Sequence, residues 1–205
     1  MYVPPAFAET DPVRLFDFIE ANSFGLVICG AGGPLGATHL PLLLVRDVGA
    51  NGRLIGHMAR ANPAWRAMDG AEALCVFSGP HAYISPTWYE TEHVVPTWNY
   101  VAVHAYGTCR VIDDDAATAA IVADYVSTYE RSMRVPWQLD AGTPRFSNMV
   151  KLIIGFQIDI SRIEGKWKLG QNHPHERRER VARRLAESAD QNAREIGRLM
   201  DQTLR

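Results

Sequence analysis

The residues best suited to chemistry lie in an aromatic and polar stretch from Gly79 to Gly107. This stretch holds six Trp and Tyr side chains and three His, together with Ser85, Thr97 and Asn99. Flat rings beside hydrogen-bonding groups suit a planar conjugated ligand, which stacking holds and a few polar atoms orient. Trp and Tyr are also enriched in protein cores and at dimer interfaces. The composition therefore leaves a ligand site and an interface as two open interpretations.

Two further segments carry groups that suit an anion. In the first, His57, Arg60 and Asn62 lie where a predicted strand leads into a predicted helix. A cation and free backbone amides at such a junction would face an anion together. In the second, segment 164–172, two lysines alternate with apolar residues before a polar pair (Lys166, Lys168, Gln171 and Asn172). Each segment alone also fits a solvated, charged surface, which is the commoner case.

Three glycines after an apolar strand, Gly30, Gly32 and Gly36, resemble part of a dinucleotide-binding loop. The GxGxxG motif needs a glycine at position 35, where this chain has Leu35. The residues that follow have the pattern of a strand, so the helix N-terminus that binds a pyrophosphate is not expected there. We predict a hairpin turn at Ala31 to Leu35 instead.

Neither a catalytic nucleophile nor a metal site is predicted. The chain has no GxSxG motif of the kind that presents a hydrolase serine. Its central histidines lack the i, i+3 or i, i+4 pairing of common metal sites (His39, His57, His81, His93 and His104).

The charge balance argues against a protein that grips nucleic acid. The 205 residues include 21 Lys+Arg and 23 Asp+Glu, a formal net charge of −2. Proteins that bind nucleic-acid backbones usually have a clear basic excess, because affinity comes largely from neutralised phosphates. The C-terminal segment 173–205 has 8 Arg against 6 Asp+Glu, and its charges intersperse as on a solvated helix.

The cysteines and the apolar runs indicate a cytoplasmic protein. Cys29, Cys75 and Cys109 are odd in number and far apart, which fits reduced thiols packed as small hydrophobic groups. No run reaches the ~18 apolar residues of a membrane span. The N-terminus lacks the basic and apolar regions of a secretory signal.

The elements that must position these residues are mainly strands. Short apolar or alternating segments bounded by turn residues predict strands at Phe24–Gly30, Ala37–Arg46, Arg53–Ala59, Glu72–Ser78, Trp98–Ile112 and Leu152–Ile160. Capping residues and helical spacing predict helices that start at Asp11 and Asn62, at Asp115–Met133 and Phe146–Leu152, and one long helix from Pro174 onward. The stretch Gly79–Pro96 is predicted to be an ordered functional loop. Because hairpin connections dominate, we expect a mainly β, α+β fold, a mostly antiparallel barrel with helices outside.

Several motifs, in their order along the chain, carry a family resemblance. They are MYVP (residues 1–4), ATHLPLLL (37–44), GHMARANPAW (56–65), GPHAYISPTWY (79–89), VPTWNYVAVHAYG (95–107) and EGKWKLGQN (164–172). On these motifs, which span nearly the whole chain, the sequence resembles the PaiB-type FMN-binding negative transcriptional regulators. It departs from the family pattern at Gly170 and His173, which concerns local ligand contacts rather than the fold.

The resemblance implies a fold, a cofactor and an assembly. The fold would be an FMN-binding split β-barrel with peripheral helices, related to the pyridoxamine-phosphate-oxidase-like proteins. Residues 1–172 would form the barrel, and residues 173–205 a helical extension of the same domain. The protein would be a homodimer that holds FMN at the subunit interface.

Motif positions suggest which residues meet the cofactor. FMN needs an apolar slot for its isoalloxazine, donors for its carbonyls and positive groups for its phosphate. Trp88 and Trp98 are candidates for the slot. The remaining candidates are polar residues that would contact the isoalloxazine or the phosphate of FMN (Thr38, His39, His57, Asn62, Asn99 and Gln171). Arg60 and Lys168 are assigned to the phosphate, and because they lie on different segments one of them can come from the second subunit.

Three hypotheses for function follow. The first is a negative transcriptional regulator that binds FMN, although DNA as a partner rests on the family and not on the charge. The second is an FMN-dependent oxidoreductase that acts on a small molecule. The third replaces FMN with haem, with one histidine as axial ligand. A visible absorption spectrum distinguishes flavin from haem.

Overall fold

The computed structural model describes residues 1–30 and 35–204. Among these residues there are eight β-strands and five α-helices. The strands are β1 (Ala8–Glu9), β2 (Phe24–Cys29), β3 (Gly36–Pro41), β4 (Leu43–Val45), β5 (Arg53–Ala59), β6 (Glu72–Ile84), β7 (Thr97–Ile112) and β8 (Ile153–Lys168). The helices are α1 (Pro12–Ala21), α2 (Asp115–Glu130), α3 (Pro144–Val150), α4 (His175–Ala186) and α5 (Gln191–Gln202).

The strands form one sheet in the order β3-β2-β6-β7-β8-β5-β4, with β1 paired to β8. The pairings β1–β8, β2–β3, β2–β6, β4–β5 and β5–β8 are antiparallel. The mainly β, antiparallel fold expected from the sequence is thus confirmed. Within the described residues, no helix combines the length and apolar character needed to cross a membrane.

The chain divides into two compact units. The first contains Met1–Phe18, Ser78–His104 and Glu164–Arg205, and the second contains Ile19–Phe77 and Ala105–Ile163. Each unit is therefore assembled from segments that are distant in sequence. The domain boundary expected after residue 172 stays a prediction.

The core of the second unit depends on the fit between β5 and β8. Leu54 and Met58 of β5 are buried, and so are alternate residues of β8 (Ile154, Phe156 and Ile158). Gly56 is the register partner of Phe156, and a Cβ added at Gly56 would overlap the Phe156 ring. The glycine therefore provides the space that this ring occupies.

Helix α2 covers part of the other face of β5. Asp114 caps the helix, since its side chain accepts a hydrogen bond from the Ala117 amide at 2.7 Å. The Tyr125 hydroxyl donates to the backbone carbonyls of Pro41 and Ile55, so it ties α2 to the end of β3 and to β5. Burial raises the pKa of this hydroxyl, which therefore remains a donor at neutral pH.

In the first unit, β8 packs against the N-terminal residues. The Phe18 and Trp167 rings meet edge-on with centroids 5.2 Å apart. Lys166 is only 8% exposed, and its ammonium group donates to the Tyr2 carbonyl at 3.0 Å. The terminal ammonium of Met1 pairs with Glu164. These contacts fix the start of the chain on β8.

The C-terminal segment forms a helical hairpin, so the prediction of one long helix was wrong. Helix α4 ends at Ala186, and Asp190 caps α5 by accepting from the Asn192 amide. Four apolar side chains of the two helices are buried (Val181, Leu185, Ile196 and Met200), whereas Ala189 between the helices is exposed. Gly197 allows the helices to approach closely, since a Cβ there would lie 3.1 Å from Ala182 O.

Other predicted boundaries also need correction. Strand β6 continues to Ile84, so the first residues of the predicted loop Gly79–Pro96 are strand. Strand β8 continues to Lys168 instead of ending at Ile160. The predicted strand Ala37–Arg46 consists of two strands, β3 and β4, and β4 pairs with β5. The predicted turn at Ala31 to Leu35 and the position of Gly32 lie largely outside the described residues, which omit 31–34.

The fit between Gly56 and Phe156 generates a stability prediction. Gly56→Ala should lower the free energy of unfolding by about 1–3 kcal/mol, because the added methyl group overfills a packed core. Gly36→Ala is the matched control, since its Cβ would lie 3.7 Å from the nearest atom, Cys29 O. Urea unfolding of both variants measures the difference. Equal midpoints for the two variants would contradict the packing described.

Candidate functional site

A groove beside β3 gathers three of the predicted ligand contacts in the second unit. Its walls come from β2, β3 and a short 3-10 turn at Pro63–Ala67, and its volume is about 640 Å³. Thr38, His39 and Asn62 all line it. The volume falls within the ~300–1,000 Å³ typical of small-molecule sites. We refer to this space as the β3 groove.

Local structure positions each of these groups. His39 lies on β3 with its ring stacked on Phe24, with centroids 6.0 Å apart and planes at 21°. Asn62 caps the 3-10 turn, because its side-chain oxygen accepts from the Ala64 amide at 3.0 Å. The helix predicted to start at Asn62 is a 3-10 element of five residues and not an α-helix. The helix-terminus argument for an anion at this point therefore does not apply.

Arg60 lies two residues before Asn62 but does not line the β3 groove. Its Nη1 donates to Asp113 Oδ1 at 2.8 Å, and its Nε donates to the Lys151 carbonyl at 3.2 Å. These bonds use two of the five N–H donors of a guanidinium group. The Trp65 indole donates to the Arg60 carbonyl at 3.0 Å, which fixes the backbone here.

His57 lines a different cavity from Thr38, His39 and Asn62, although it too belongs to the second unit. Its ring meets the Tyr125 ring edge-on, with centroids 4.9 Å apart. Burial lowers the pKa of the imidazole, which favours the neutral form at pH 7. Its assignment to the cofactor stays a prediction.

The first unit presents an exposed aromatic face, made by His81, Tyr83 and Trp98. Trp98 is 54% exposed and Tyr83 is 47% exposed. Their rings meet edge-on with centroids 5.9 Å apart, and the His81 ring lies 6.2 Å from that of Trp98. Large rings exposed together in this way are typical of a surface that another molecule covers.

A cation is anchored to this aromatic face. The Lys168 ammonium donates to Thr97 Oγ1 and to the Trp98 carbonyl, each at 2.5 Å. Burial and the neighbouring charge of Lys166 both lower the pKa of Lys168. The structure thus brings Trp98 and Lys168 together, as two of the residues predicted for the site.

The remaining predicted contacts have structural partners in the first unit. Asn99 is 2% exposed, and its amide faces the sulfur of Met200 at 3.4 Å. The Gln171 side chain closes the turn after β8, accepting from the Leu169 amide at 2.8 Å and donating to the Trp167 carbonyl at 2.6 Å. Trp88 is half-buried in a 3-10 turn at Pro86–Tyr89.

His81, Tyr83 and Thr97 belong to the aromatic and polar stretch singled out in the sequence, but none of them was predicted as a cofactor contact. The available signal was the alternation along β6, where Ala82 and Ile84 are buried while His81 and Tyr83 are exposed. Extending the period-2 pattern beyond Ser78 would have placed both rings on one face.

The three cysteines are free and buried, as the sequence analysis expected. Burial raises the pKa of the Cys109 thiol to about 12, so this group is a protonated thiol at neutral pH. Within the described residues, no three His, Cys, Asp or Glu side chains are gathered as a metal site.

Comparisons of the sequence identify a family. Residues 1–162 match the family described as "Putative FMN-binding domain". The chain is 35% identical over 212 residues to Protease synthase and sporulation protein PAI 2 of Bacillus subtilis strain 168, which covers 100% of this chain and 99% of that protein. It is also 30% identical over 222 residues to an uncharacterized protein of Aspergillus fumigatus, covering 83% of this chain and 85% of the relative.

Comparisons of the structure identify the fold. The FAD and heme binding protein from Mycobacterium smegmatis matches with a TM-score of 0.60 and 17% identity, over 80% of this chain and 74% of that one. The flavocytochrome Anf3 from Azotobacter vinelandii matches with a TM-score of 0.57 and 14% identity, over 78% of this chain and 69% of that one. At these identities the likeness concerns the fold alone, and it confirms the predicted split barrel.

Proposed function

Because the chain belongs to the PaiB-like FMN-binding family that its residues 1–162 match, we propose that it binds FMN at a site shared by two copies of the chain. The β3 groove of one protomer and the aromatic face of its partner would enclose the cofactor. Bound FMN would supply redox chemistry or a redox-sensitive signal, and the protein would supply position and electrostatics.

The aromatic face supports the proposal most directly. Trp98 presents an exposed ring, and Lys168 is bonded to the carbonyl of the same residue. An isoalloxazine is planar and FMN also carries an anion, so it would use both the ring and the cation. Covering Trp98 and Tyr83 would also remove apolar surface from water.

Polar contacts to the isoalloxazine would come from the β3 groove. Hydrogen-bond donors and acceptors in this groove come from the Thr38 hydroxyl, the His39 ring and the Asn62 amide. The apolar side chains of Ala67 and Met68 line the same groove. This combination of an apolar wall with a few polar groups is what a flat heterocycle requires.

We assign the phosphate to Arg60 and Lys168. Both hold their cationic groups through bonds to neighbouring oxygen atoms, which reduces the entropy lost when an anion binds. Placing the two cations in different protomers would make FMN binding depend on dimer formation. The cofactor contacts predicted from the motifs at His57, Trp88, Asn99 and Gln171 remain proposals, secondary to this pair.

We also propose a negative regulatory role in transcription, by relationship to the PaiB-like proteins. The chain is collinear with the Bacillus relative along its length, which supports a shared role. The net charge of −2 provides no basic excess for binding DNA phosphates, so DNA as a partner is proposed from the family relationship alone. Oxidoreductase activity is the alternative.

The phosphate assignment predicts a difference between two flavins. Arg60→Ala and Lys168→Ala should each weaken FMN binding by about ten-fold or more, because each removes a charge-assisted contact. Binding of riboflavin, which has no phosphate, should change little. Titration followed by flavin fluorescence gives both affinities, and the absorption spectrum of the loaded protein distinguishes flavin from haem.

Arg134→Ala is the matched control, since it also removes an exposed cation. It should leave FMN binding unchanged. Wild-type FMN affinity in both Arg60→Ala and Lys168→Ala would refute the phosphate assignment, and a haem spectrum would refute the choice of cofactor.

The shared site predicts that two defective variants complement each other. A dimer of Arg60→Ala with Lys168→Ala contains one site with both cations and one site with neither. A mixture of the two, exchanged at low concentration, should therefore regain FMN binding at up to about a quarter of all sites at equal mixing. If both cations come from the same protomer, mixing will restore no high-affinity sites.

The regulatory role predicts that the bound flavin is not turned over. The loaded protein should not consume NADH or NADPH catalytically in the presence of oxygen, as followed at 340 nm.

Direct repression is tested by DNA affinity. The affinity for a DNA fragment from upstream of its own gene is compared with the affinity for scrambled DNA of equal length at ~150 mM salt. Sustained consumption of the nicotinamide together with equal affinity for both DNAs would favour the oxidoreductase.

A further inference from the structure

A second cavity lies between α2 and α3 in the second unit. Its volume is about 690 Å³, and its walls are α2, α3, the connecting segment 131–143 and the start of β8. Most of the side chains that line its interior are apolar (Val122, Val126, Leu139, Phe146, Val150 and Ile153). None of these residues lines the β3 groove. We refer to this space as the α2–α3 cavity.

Two charged side chains of opposite sign also line the α2–α3 cavity, those of Asp140 and Arg145. Both residues are exposed, so their charged groups are accessible to a ligand. The Asp140 carboxylate accepts a hydrogen bond from the Gly142 amide at 3.2 Å, and a carboxylate can accept several more. Within residues 1–30 and 35–204, Arg145 forms no hydrogen bond or ion pair, so the two charges are not paired with each other there.

Hydrogen bonds hold the backbone around these charged residues in place. The Thr143 hydroxyl donates to the Asp140 carbonyl at 3.2 Å and accepts from the Phe146 amide at 3.3 Å, at the start of α3. The Trp137 amide donates to Glu130 Oε2 at 2.7 Å. Because these bonds order the segment before a ligand arrives, they reduce the conformational entropy that binding would cost.

Two apolar side chains that line the cavity remain exposed to water. Trp137 is 58% exposed and Met149 is 56% exposed. Large apolar side chains exposed together beside charged groups are typical of a site that another molecule covers. A ligand with an apolar group would remove part of this surface from water, which favours its binding.

The arrangement favours a ligand that carries both charges and an apolar group. A purely apolar ligand would leave Asp140 and Arg145 unused, and an ion of one sign would be attracted by one of them and repelled by the other. A zwitterion can pair its ammonium with the carboxylate and its own carboxylate with the guanidinium. Because both protein groups are exposed, neither charge of the ligand has to leave water completely.

We propose that the α2–α3 cavity binds a free α-amino acid with a large apolar side chain. Asp140 would hold the α-ammonium and Arg145 the α-carboxylate, while the side chain of the ligand would lie among the apolar residues of the lining. His57 also lines the cavity, but its buried Nδ1 takes no part in this site. In a flavin-binding regulator such a ligand would be an effector, although the site itself does not depend on the proposed flavin site.

The test compares three probes by calorimetry: L-phenylalanine, L-phenylalanine amide and N-acetyl-L-phenylalanine. One phenylalanine should bind per chain. The amide lacks the carboxylate and the N-acetyl compound lacks the ammonium group. Each should therefore bind about three- to five-fold more weakly than phenylalanine, because it loses one exposed charge pair. Absence of phenylalanine binding, or equal affinities for the three probes, would overturn the proposal.

Two substitutions identify the partner of each charge. Arg145→Gln should weaken phenylalanine binding by about three- to five-fold but should not weaken binding of the amide, which has no carboxylate to lose. Asp140→Asn should weaken phenylalanine binding to the same extent but should not weaken binding of the N-acetyl compound. Arg134→Gln and Asp47→Asn, the same changes at exposed positions outside the lining, should alter none of the affinities. Losses that do not follow the matching charge would contradict the assignment.

Two further measurements separate this site from the flavin site. Val126→Trp fills the cavity and should remove phenylalanine binding but keep the wild-type affinity for FMN, while far-ultraviolet circular dichroism confirms that the variant is folded. FMN should not displace phenylalanine from the wild-type protein. Competition between the two would assign the cavity to the flavin and overturn the proposal. Failure of the wild-type protein to bind FMN would refute only the proposed function, because phenylalanine binding is measured without FMN.

Discussion

The register of β5 against β8 is the constraint on which the second unit depends. Gly56 lies opposite Phe156, and that ring fits only because no side chain is present at Gly56. A strand alternates its faces with period 2, so a shift of one residue would turn Met58 away from the core and bring His57 into it. The glycine and the phenylalanine therefore determine where the histidine lies.

The same register sets the position of the residues after β5. The Arg60 amide donates to the Leu152 carbonyl at 2.8 Å, which continues the contact between the two segments beyond the strand. Its side chain then reaches Asp113 and the Lys151 carbonyl. Asn62 follows at the start of the 3-10 turn, where it borders the β3 groove. One strand and its continuation thus supply residues to two separate cavities, and both positions follow from a single pairing.

Sequence analysis predicted some elements closely and missed others for physical reasons. It assigned β5 its observed bounds, because alternation and flanking turn residues coincide there. It ended β6 at Ser78, because Gly79 and Pro80 resemble strand breakers. In the structure a Cβ at Gly79 would lie 2.7 Å from the Phe18 ring, so the glycine is needed for packing within a strand.

The residues of the candidate site were harder to predict than the strands. Adjacent residues Trp98 and Asn99 share a motif, yet alternation exposes the first and buries the second against Met200.

At the interface between α2 and β5, two polar side chains in contact differ in whether they form hydrogen bonds. The Tyr125 hydroxyl bonds to two backbone carbonyls, at Pro41 and Ile55. The neighbouring His57 ring has a buried Nδ1 with no partner in the described part of the chain. An unpaired buried polar group costs about 1–3 kcal/mol, and the folded protein bears this cost. The interface therefore places a hydroxyl that holds α2 on β5 beside an imidazole that lowers the free energy of unfolding.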